Sequence, residues 1–273
     1  MIPQLTAYEP IVGRQVIEEL RFLAERLKPR RIQHINSTAV GGGVAEILNR
    51  LVPLLNELGF STRWDVIKGG EAFFQVTKKF HNALHGQPTT IARQDYRIFL
   101  ESTEQNLKTF PLEGDVIFVH DPQPAGLIKA KSSHGGRWVW RCHIDVSAPH
   151  LGVWRFLRGF VDRYDAAVFS SPQFVQRLGI RQFLVAPSID PLSKKNEELS
   201  EETITSVLHR LGVPQDKPLV TQISRFDALK DPLGVIEAFR LVRKTTNCRL
   251  ILAGGGASDD PEGAEVLAEV REK

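Results

Sequence analysis

The sequence predicts an α/β protein built on parallel, doubly wound sheets. Three observations lead to this prediction: short apolar runs alternate with longer amphipathic runs, glycine-rich loops follow some of the apolar runs, and the alternation starts again after a polar segment near residue 190. Short apolar runs between helical patterns are typical of βα units, whose strands pair in parallel. The composition agrees, because 42% of the 273 residues are hydrophobic, which is enough for a sizeable core.

The first βα unit has the clearest local pattern. We predict an amphipathic helix over about 12–26, a strand over 31–36 and a helix over 44–58 that ends at Gly59. The remaining apolar runs of this half predict strands at 62–67, 115–119, 138–143, 166–169 and 182–185.

A polar segment separates the two halves of the chain. Residues 186–200, APSIDPLSKKNEELS, concentrate proline, serine and charge, which is typical of a linker. We therefore predict two domains, 1–190 and 191–273. The elements predicted in the second are helices at 201–210 and 233–244, strands at 219–224 and 249–253, and a further helix from Pro261.

Charge and cysteine content exclude several classes of protein. The 35 basic residues nearly balance 32 acidic ones and no basic arm is present, so neither nucleic acid nor a membrane is an expected partner. Cys142 and Cys248 lie far apart without metal-ligand spacing. The N-terminus lacks the charged and apolar regions of a signal peptide. We expect a soluble protein of the reducing cytoplasm.

A glycine run follows the first strand. Gly41, Gly42 and Gly43 allow the backbone to approach a ligand closely, and the helix that follows directs unpaired N–H groups towards an anion. The run lacks full G-x-G-x-x-G spacing, so a structural turn and a ligand loop both remain open.

Two further strand ends are polar. His120, Asp121 and Gln123 lie in the segment HDPQP, which we expect to be an exposed loop stiffened by its prolines. A histidine beside an aspartate suits sugar hydroxyl groups, although caps of the local backbone would use the same residues. His143 and Asp145 follow the next strand, and a buried core histidine is the alternative for His143.

The second half carries a pair of cations at a strand end. Arg225 follows the strand and Lys230 precedes a helix start, so both can face one diphosphate, although surface charges in a loop would look similar. Gly254 and Gly255 begin another glycine loop. No metal site is predicted, because the helical pair of His81 and His85 has no apparent third ligand.

Six strings in order carry a resemblance to a known family. The chain resembles the trehalose synthase (glycosyl-transferring) family, retaining GT-B glycosyltransferases within the superfamily that includes glycogen synthase and sucrose synthase. The resemblance covers about 32–263. The strings are HINSTAVGGGVAEIL, HDPQPAGLI, WRCHIDVS, APSIDPLS, SRFDALKDP and AGGGASDDPEG.

The resemblance implies a role for each candidate residue. The implied catalytic residues are Arg225, Lys230 and His143, of which the two cations bind the nucleotide diphosphate. The glycine loops would contact the donor, through Gly41, Gly42, Gly43, Gly254 and Gly255. The residues implied to bind the acceptor sugar are His120, Asp121, Gln123 and Asp145.

The resemblance also implies a reaction and its partners. The expected enzyme transfers glucose from ADP- or UDP-glucose to glucose with retention, reversibly forming trehalose. No tightly bound cofactor is expected, any Mg²⁺ would act through the nucleotide, and a homodimer is a possible assembly. A retaining trehalose phosphorylase and a non-catalytic sugar- or nucleotide-binding module remain alternatives.

The resemblance gives one expectation about the end of the chain. It implies a GT-B architecture with a complete N-terminal Rossmann-like domain and the beginning of a second. The family's later E-x7-E element has no counterpart up to Lys273. We therefore expect the 273-residue chain by itself to be an inactive fragment.

Overall fold

The computed structural model describes residues 4–27, 30–255 and 262–273. Its contacts divide the chain into two units, Met1–Asp190 and Pro191–Lys273. Each unit is an α/β structure on its own.

A parallel sheet forms the centre of the first unit. Its strand order is β2-β1-β3-β4-β5-β6, and each neighbouring pair is parallel. The carboxyl ends of all these strands therefore meet at one edge, and the predicted fold class is confirmed. The strands are β1 (Arg31–Asn36), β2 (Ser61–Val66), β3 (Val116–His120), β4 (Arg137–Cys142), β5 (Ala166–Phe169) and β6 (Arg181–Leu184).

Helices connect these strands and cover the sheet. They are α1 (Glu9–Val12), α2 (Arg14–Leu27), α3 (Gly43–Glu57), α4 (Glu71–Leu84), α5 (Arg93–Thr109), α6 (Lys131–His134) and α7 (Leu151–Val161). Short 3₁₀ turns complete the unit at Leu5–Tyr8, Ala125–Ala130 and Pro172–Phe174.

One face of the sheet builds an aromatic core. Trp138 and Trp140 of β4 and Phe169 of β5 are fully buried against Phe80 of α4 and Phe99 of α5. Side chains alternate between the two faces of a strand, so the even-numbered residues of β3 and the odd-numbered residues of β4 lie on the opposite face. That opposite face carries the polar residues of the candidate site.

The second unit repeats the βα pattern. Strands β7 (Leu219–Ile223) and β8 (Arg249–Ala253) pair in parallel over their whole length. Its helices are α8 (Glu201–Arg210), α9 (Pro232–Val242) and α10 (Gly263–Glu272), and 3₁₀ turns lie at Lys194–Asn196 and Ala228–Lys230. Across both units, no helix in the part of the chain that the structure describes is long and apolar enough to cross a membrane.

Candidate functional site

Three histidines from neighbouring strands form a chain of hydrogen bonds at the carboxyl edge of the first sheet. His34 lies in β1, His120 ends β3 and His143 follows β4. His34 Nδ1 is 3.0 Å from His120 Nε2, and His120 Nδ1 is 2.9 Å from His143 Nε2. Parallel pairing of β1 with β3, and of β3 with β4, brings these distant residues together.

Burial keeps these imidazole rings neutral. His34 is 2% exposed and His120 is 4% exposed. Burial lowers the pKa of His34 to about 4. It also lowers the pKa of His120 well below the usual value, and the nearby His34, His143 and Arg141 act in the same direction. Burial lowers the pKa of His143 as well, and Asp121 opposes this effect only partly. Exposure to solvent would not lower these pKa values, because it is burial that penalises the charged form of the ring.

Asp121 joins the ends of β3 and β4. Its carboxylate accepts a hydrogen bond of 2.8 Å from the backbone N–H of His143. Its own N–H donates to the carbonyl of Arg141 over 2.8 Å, and its carbonyl accepts from the indole of Trp140 over 3.0 Å. The backbone of Asp121 is left-handed, with φ of 65°. A non-glycine residue keeps this conformation only where several surrounding contacts hold it there.

The HDPQP segment differs from the expected exposed loop. Pro122 and Pro124 are buried, and the turn that follows packs against α5, where a Cβ on Gly126 would overlap Thr103. Gln123 lines a small cavity with Ile67, Phe73, Thr103, Asn106, Pro124 and Leu127, and its Oε1 is buried without a hydrogen-bond partner in the described residues. The prediction of an exposed loop was wrong because the end of the segment and the turn that follows it pack against α5.

Asp145 stabilises its own loop. Its carboxylate accepts a hydrogen bond of 2.8 Å from the N–H of Ser147, two residues further on, and the side chain is half-buried. This is the local turn chemistry that aspartate favours. The predicted sugar contact of Asp145 stays a prediction.

The glycine loop after β1 leaves open space at the start of α3. Gly41 and Gly42 have φ of 76° and 85°, a conformation that other residues rarely adopt. A Cβ built on Gly42 or Gly43 meets no atom within 4 Å. Gly42, the N-cap residue of α3, has no side chain with which to cap the helix. The first N–H groups of a helix that its N-cap residue leaves uncapped can bind water, an anion or another polar ligand.

The cationic loop of the second unit is organised by Asp227. This side chain is 1% exposed; Oδ1 accepts from the N–H of Leu229 at 2.8 Å, and Oδ2 lies 3.4 Å from Nη2 of Arg225. Arg225 is half-buried, whereas Lys230 is exposed. Asp227 therefore orients the guanidinium of Arg225, while Lys230 lies exposed at the end of the loop.

Gly254 directly follows β8 and lies close to Ser224, the residue that follows β7. A Cβ on Gly254 would overlap the carbonyl oxygen of Ser224, and the N–H of Ser224 donates to Ala253 at 3.0 Å. Around Gly255, a Cβ would meet nothing within 4 Å. The rest of the predicted loop, 256–261, lies outside the described residues, as does the predicted helix start at Pro261.

Sequence reasoning missed two residues of these clusters. His34 stands in β1, whose sequence RIQHIN mixes polar and apolar residues, so that its burial at 2% exposure becomes visible only in the structure. Asp227 stands two residues after Arg225, a spacing that suits a loop carboxylate orienting a guanidinium. The rings of His81 and His85 have centroids 4.4 Å apart and planes tilted by 41°, and no group of three or more potential ligands is arranged for a metal within the described ranges.

Comparisons with known proteins show the family to which this chain belongs. The sequence model of a family described as "Trehalose synthase, N-terminal domain" matches residues 34–176, more than half of the chain. The chain belongs to the trehalose synthase family. The resemblance stated from the six sequence strings is therefore confirmed.

Individual relatives show how far the likeness extends. A trehalose synthase from Pyrococcus horikoshii is 44% identical over 265 residues, which cover 95% of this chain and 64% of that protein. The chain thus spans slightly less than two thirds of the length of this relative. A trehalose phosphorylase from Pleurotus pulmonarius is 25% identical over 328 residues, covering 99% of this chain and 43% of that protein.

Solved structures confirm the fold class. An α,α-trehalose-phosphate synthase (UDP-forming) from Burkholderia xenovorans, in complex with glucose-6-phosphate, matches with a TM-score of 0.64 and 13% identity. The match covers 89% of this chain and 70% of that one. At this identity the likeness establishes the GT-B type of fold alone.

Proposed function

We propose that this member of the trehalose synthase family takes part in retaining glucosyl transfer from a nucleoside diphosphate glucose to glucose, reversibly forming trehalose. The observation that carries the proposal is the 44% identity to the trehalose synthase of Pyrococcus horikoshii, over 95% of the chain. The candidate residues His143, Arg225 and Lys230 all lie within that span.

In this proposal the second unit binds the diphosphate of the donor. Arg225, oriented by buried Asp227, supplies a fixed cation, and exposed Lys230 supplies a mobile one. Negative charge grows on the diphosphate oxygen as the glycosidic bond breaks. A preorganised cation stabilises this charge more than it stabilises the bound donor, and so it accelerates transfer. Any Mg²⁺ arrives with the nucleotide.

The first unit provides the sugar-binding groups. His143, held through its backbone by Asp121, is proposed to contact a sugar hydroxyl beside the reacting carbon. The open start of α3 after Gly42 is proposed to receive polar groups of the donor. Retention would follow from same-face transfer, in which the departing phosphate oxygen takes the proton of the acceptor hydroxyl.

A trehalose phosphorylase is the second candidate. The likeness to the enzyme from Pleurotus pulmonarius covers 99% of this chain, although at only 25% identity. In that reaction, inorganic phosphate would take the place of the diphosphate beside Arg225 and Lys230.

The experiment compares co-substrates on the same preparation. A complete enzyme that contains this chain is incubated with glucose labelled with ¹³C at C1, together with ADP-glucose, UDP-glucose or glucose 1-phosphate, and the anomeric carbon signals of trehalose are followed. The proposal expects trehalose from a nucleoside diphosphate glucose. Trehalose from glucose 1-phosphate alone would identify a phosphorylase instead.

A binding measurement accompanies the turnover assay. Calorimetric titration with UDP, ADP and trehalose tests the sites without requiring turnover. Binding of none of these ligands, together with no trehalose under any condition, would refute the proposed function.

A further inference from the structure

The three-histidine chain has a fixed number of protons to distribute. A neutral imidazole carries one N–H and one bare nitrogen. Three neutral rings therefore hold three ring protons, and each of the two hydrogen bonds in the chain uses one of them. The third proton lies at one of the two outer nitrogens, His34 Nε2 or His143 Nδ1.

The lowered pKa values of the three histidines support the count of one proton on each ring. Burial lowers the pKa of all three histidines, to about 4 for His34. The charged groups that bear on His143 are Arg141, which lowers its pKa, and Asp121, which raises it. The rings are therefore neutral at pH 7, with one proton each.

The two outer nitrogens lie in different environments. His34 is 2% exposed and stacks on Phe118 with ring centroids 5.1 Å apart, and its Nε2 is buried without a hydrogen-bond partner in the described part of the chain. His143 is intermediate in exposure and directly follows the carboxyl end of β4. His143 is therefore the more accessible of the two outer rings, whereas His34 Nε2 is enclosed by atoms of the described residues that do not bond to it.

These environments decide which nitrogens donate in the two hydrogen bonds between the rings. A buried N–H group without an acceptor is rarer in folded proteins than a buried acceptor without a donor. The proton consequently avoids His34 Nε2. His34 then donates from Nδ1 to His120, His120 donates from Nδ1 to His143, and Nδ1 of His143 carries the third proton.

We propose that His34 and His120 are positioning residues that hold His143 in the tautomer with a proton on Nδ1, so that this ring presents a hydrogen-bond donor at the strand edge. If the proposed function holds, His143 donates to an oxygen of the sugar and does not remove a proton from the acceptor hydroxyl. The tautomer itself does not depend on the proposed function.

The first test reads the tautomer directly. The protein is labelled with ¹⁵N in its histidine rings, and the nitrogen shifts of His143 are assigned by comparison with a His143→Gln sample. At pH 7 the expected result is a protonated Nδ1 and an unprotonated Nε2 in His143. The opposite pattern, or a doubly protonated ring, overturns the proposal whether or not the protein forms trehalose.

The second test removes His34, the residue proposed to set which nitrogens donate in the three hydrogen-bonded rings. His34→Ala opens a cavity in which water can accept from His120 Nε2 or donate to it, so both directions become accessible. The nitrogen shifts of His143 should then move to intermediate values, while His209→Ala, at an exposed position of the second unit, leaves them unchanged. Unchanged His143 shifts in folded His34→Ala would show that His34 does not set the tautomer. If that variant fails to fold, the spectrum of the unsubstituted protein still decides.

Discussion

Replacing Asp121 by alanine should destabilise the first unit and loosen His143. The change removes the carboxylate that accepts from the N–H of His143 at 2.8 Å, and it leaves alanine in a left-handed backbone with φ of 65°. Asp121→Asn is the matched variant, because asparagine keeps an acceptor oxygen and tolerates this conformation.

The expected magnitude follows from these two effects. A hydrogen bond to a charged acceptor contributes about 1.5–3 kcal/mol. The left-handed conformation costs alanine about 1–2 kcal/mol. The combined loss for Asp121→Ala is about 2–4 kcal/mol, because such effects are not fully additive. For a unit of this size the loss corresponds to a fall in Tm of about 5–15 °C. Asp121→Asn should lose about 1 kcal/mol.

Tryptophan fluorescence reports the unfolding of the first structural unit, which is the unit expected to lose stability. All four tryptophans of the chain lie before residue 190, so their emission during urea denaturation follows the first unit. The alanine variant should have a clearly lower midpoint than the asparagine variant, at an unchanged slope. Equal midpoints for the two variants would refute this reasoning, because the asparagine variant keeps an acceptor oxygen and a residue that tolerates the left-handed backbone.

Three further predictions concern other parts of the chain. Gly254→Ala should destabilise the second unit by about 1–3 kcal/mol because its Cβ overlaps a carbonyl oxygen, whereas Gly255→Ala should change little; urea denaturation followed by far-ultraviolet circular dichroism compares them. In a complete enzyme, Arg225→Ala should slow trehalose formation about 10²-fold or more, with exposed Arg210→Ala as the control; near-normal initial rates would reduce Arg225 to a surface charge. Finally, the pKa of His34 is about 4 in the folded protein and 6.5 in the unfolded chain, so the unfolded chain binds more protons between pH 4 and pH 6.5. The free energy of unfolding of the first unit should therefore fall on acidification from about pH 6.5 to pH 4, by up to about 1.4 kcal/mol per pH unit for this ring, and His34→Asn should flatten that slope.

Local sequence signals determined the elements and their order. The predicted bounds of β1, β5, β8 and α8 agree with the structure, and those of the other strands differ by one residue. Apolar runs, helix caps and glycines act within a few residues of where they stand, so they can be read along the chain. The same local signals, in six strings, identified the family.

Only the tertiary structure decided which polar groups meet. His34 and His120 are 86 residues apart, and His120 and His143 are 23 apart, yet strand order and register place them in one hydrogen-bonded chain. Packing against α5 buries Pro124, although its local sequence indicated an exposed loop. Sheet order and helix packing depend on contacts between distant segments. The sequence therefore predicted which strands end in polar residues, and the fold alone determined how His34 acts on His143.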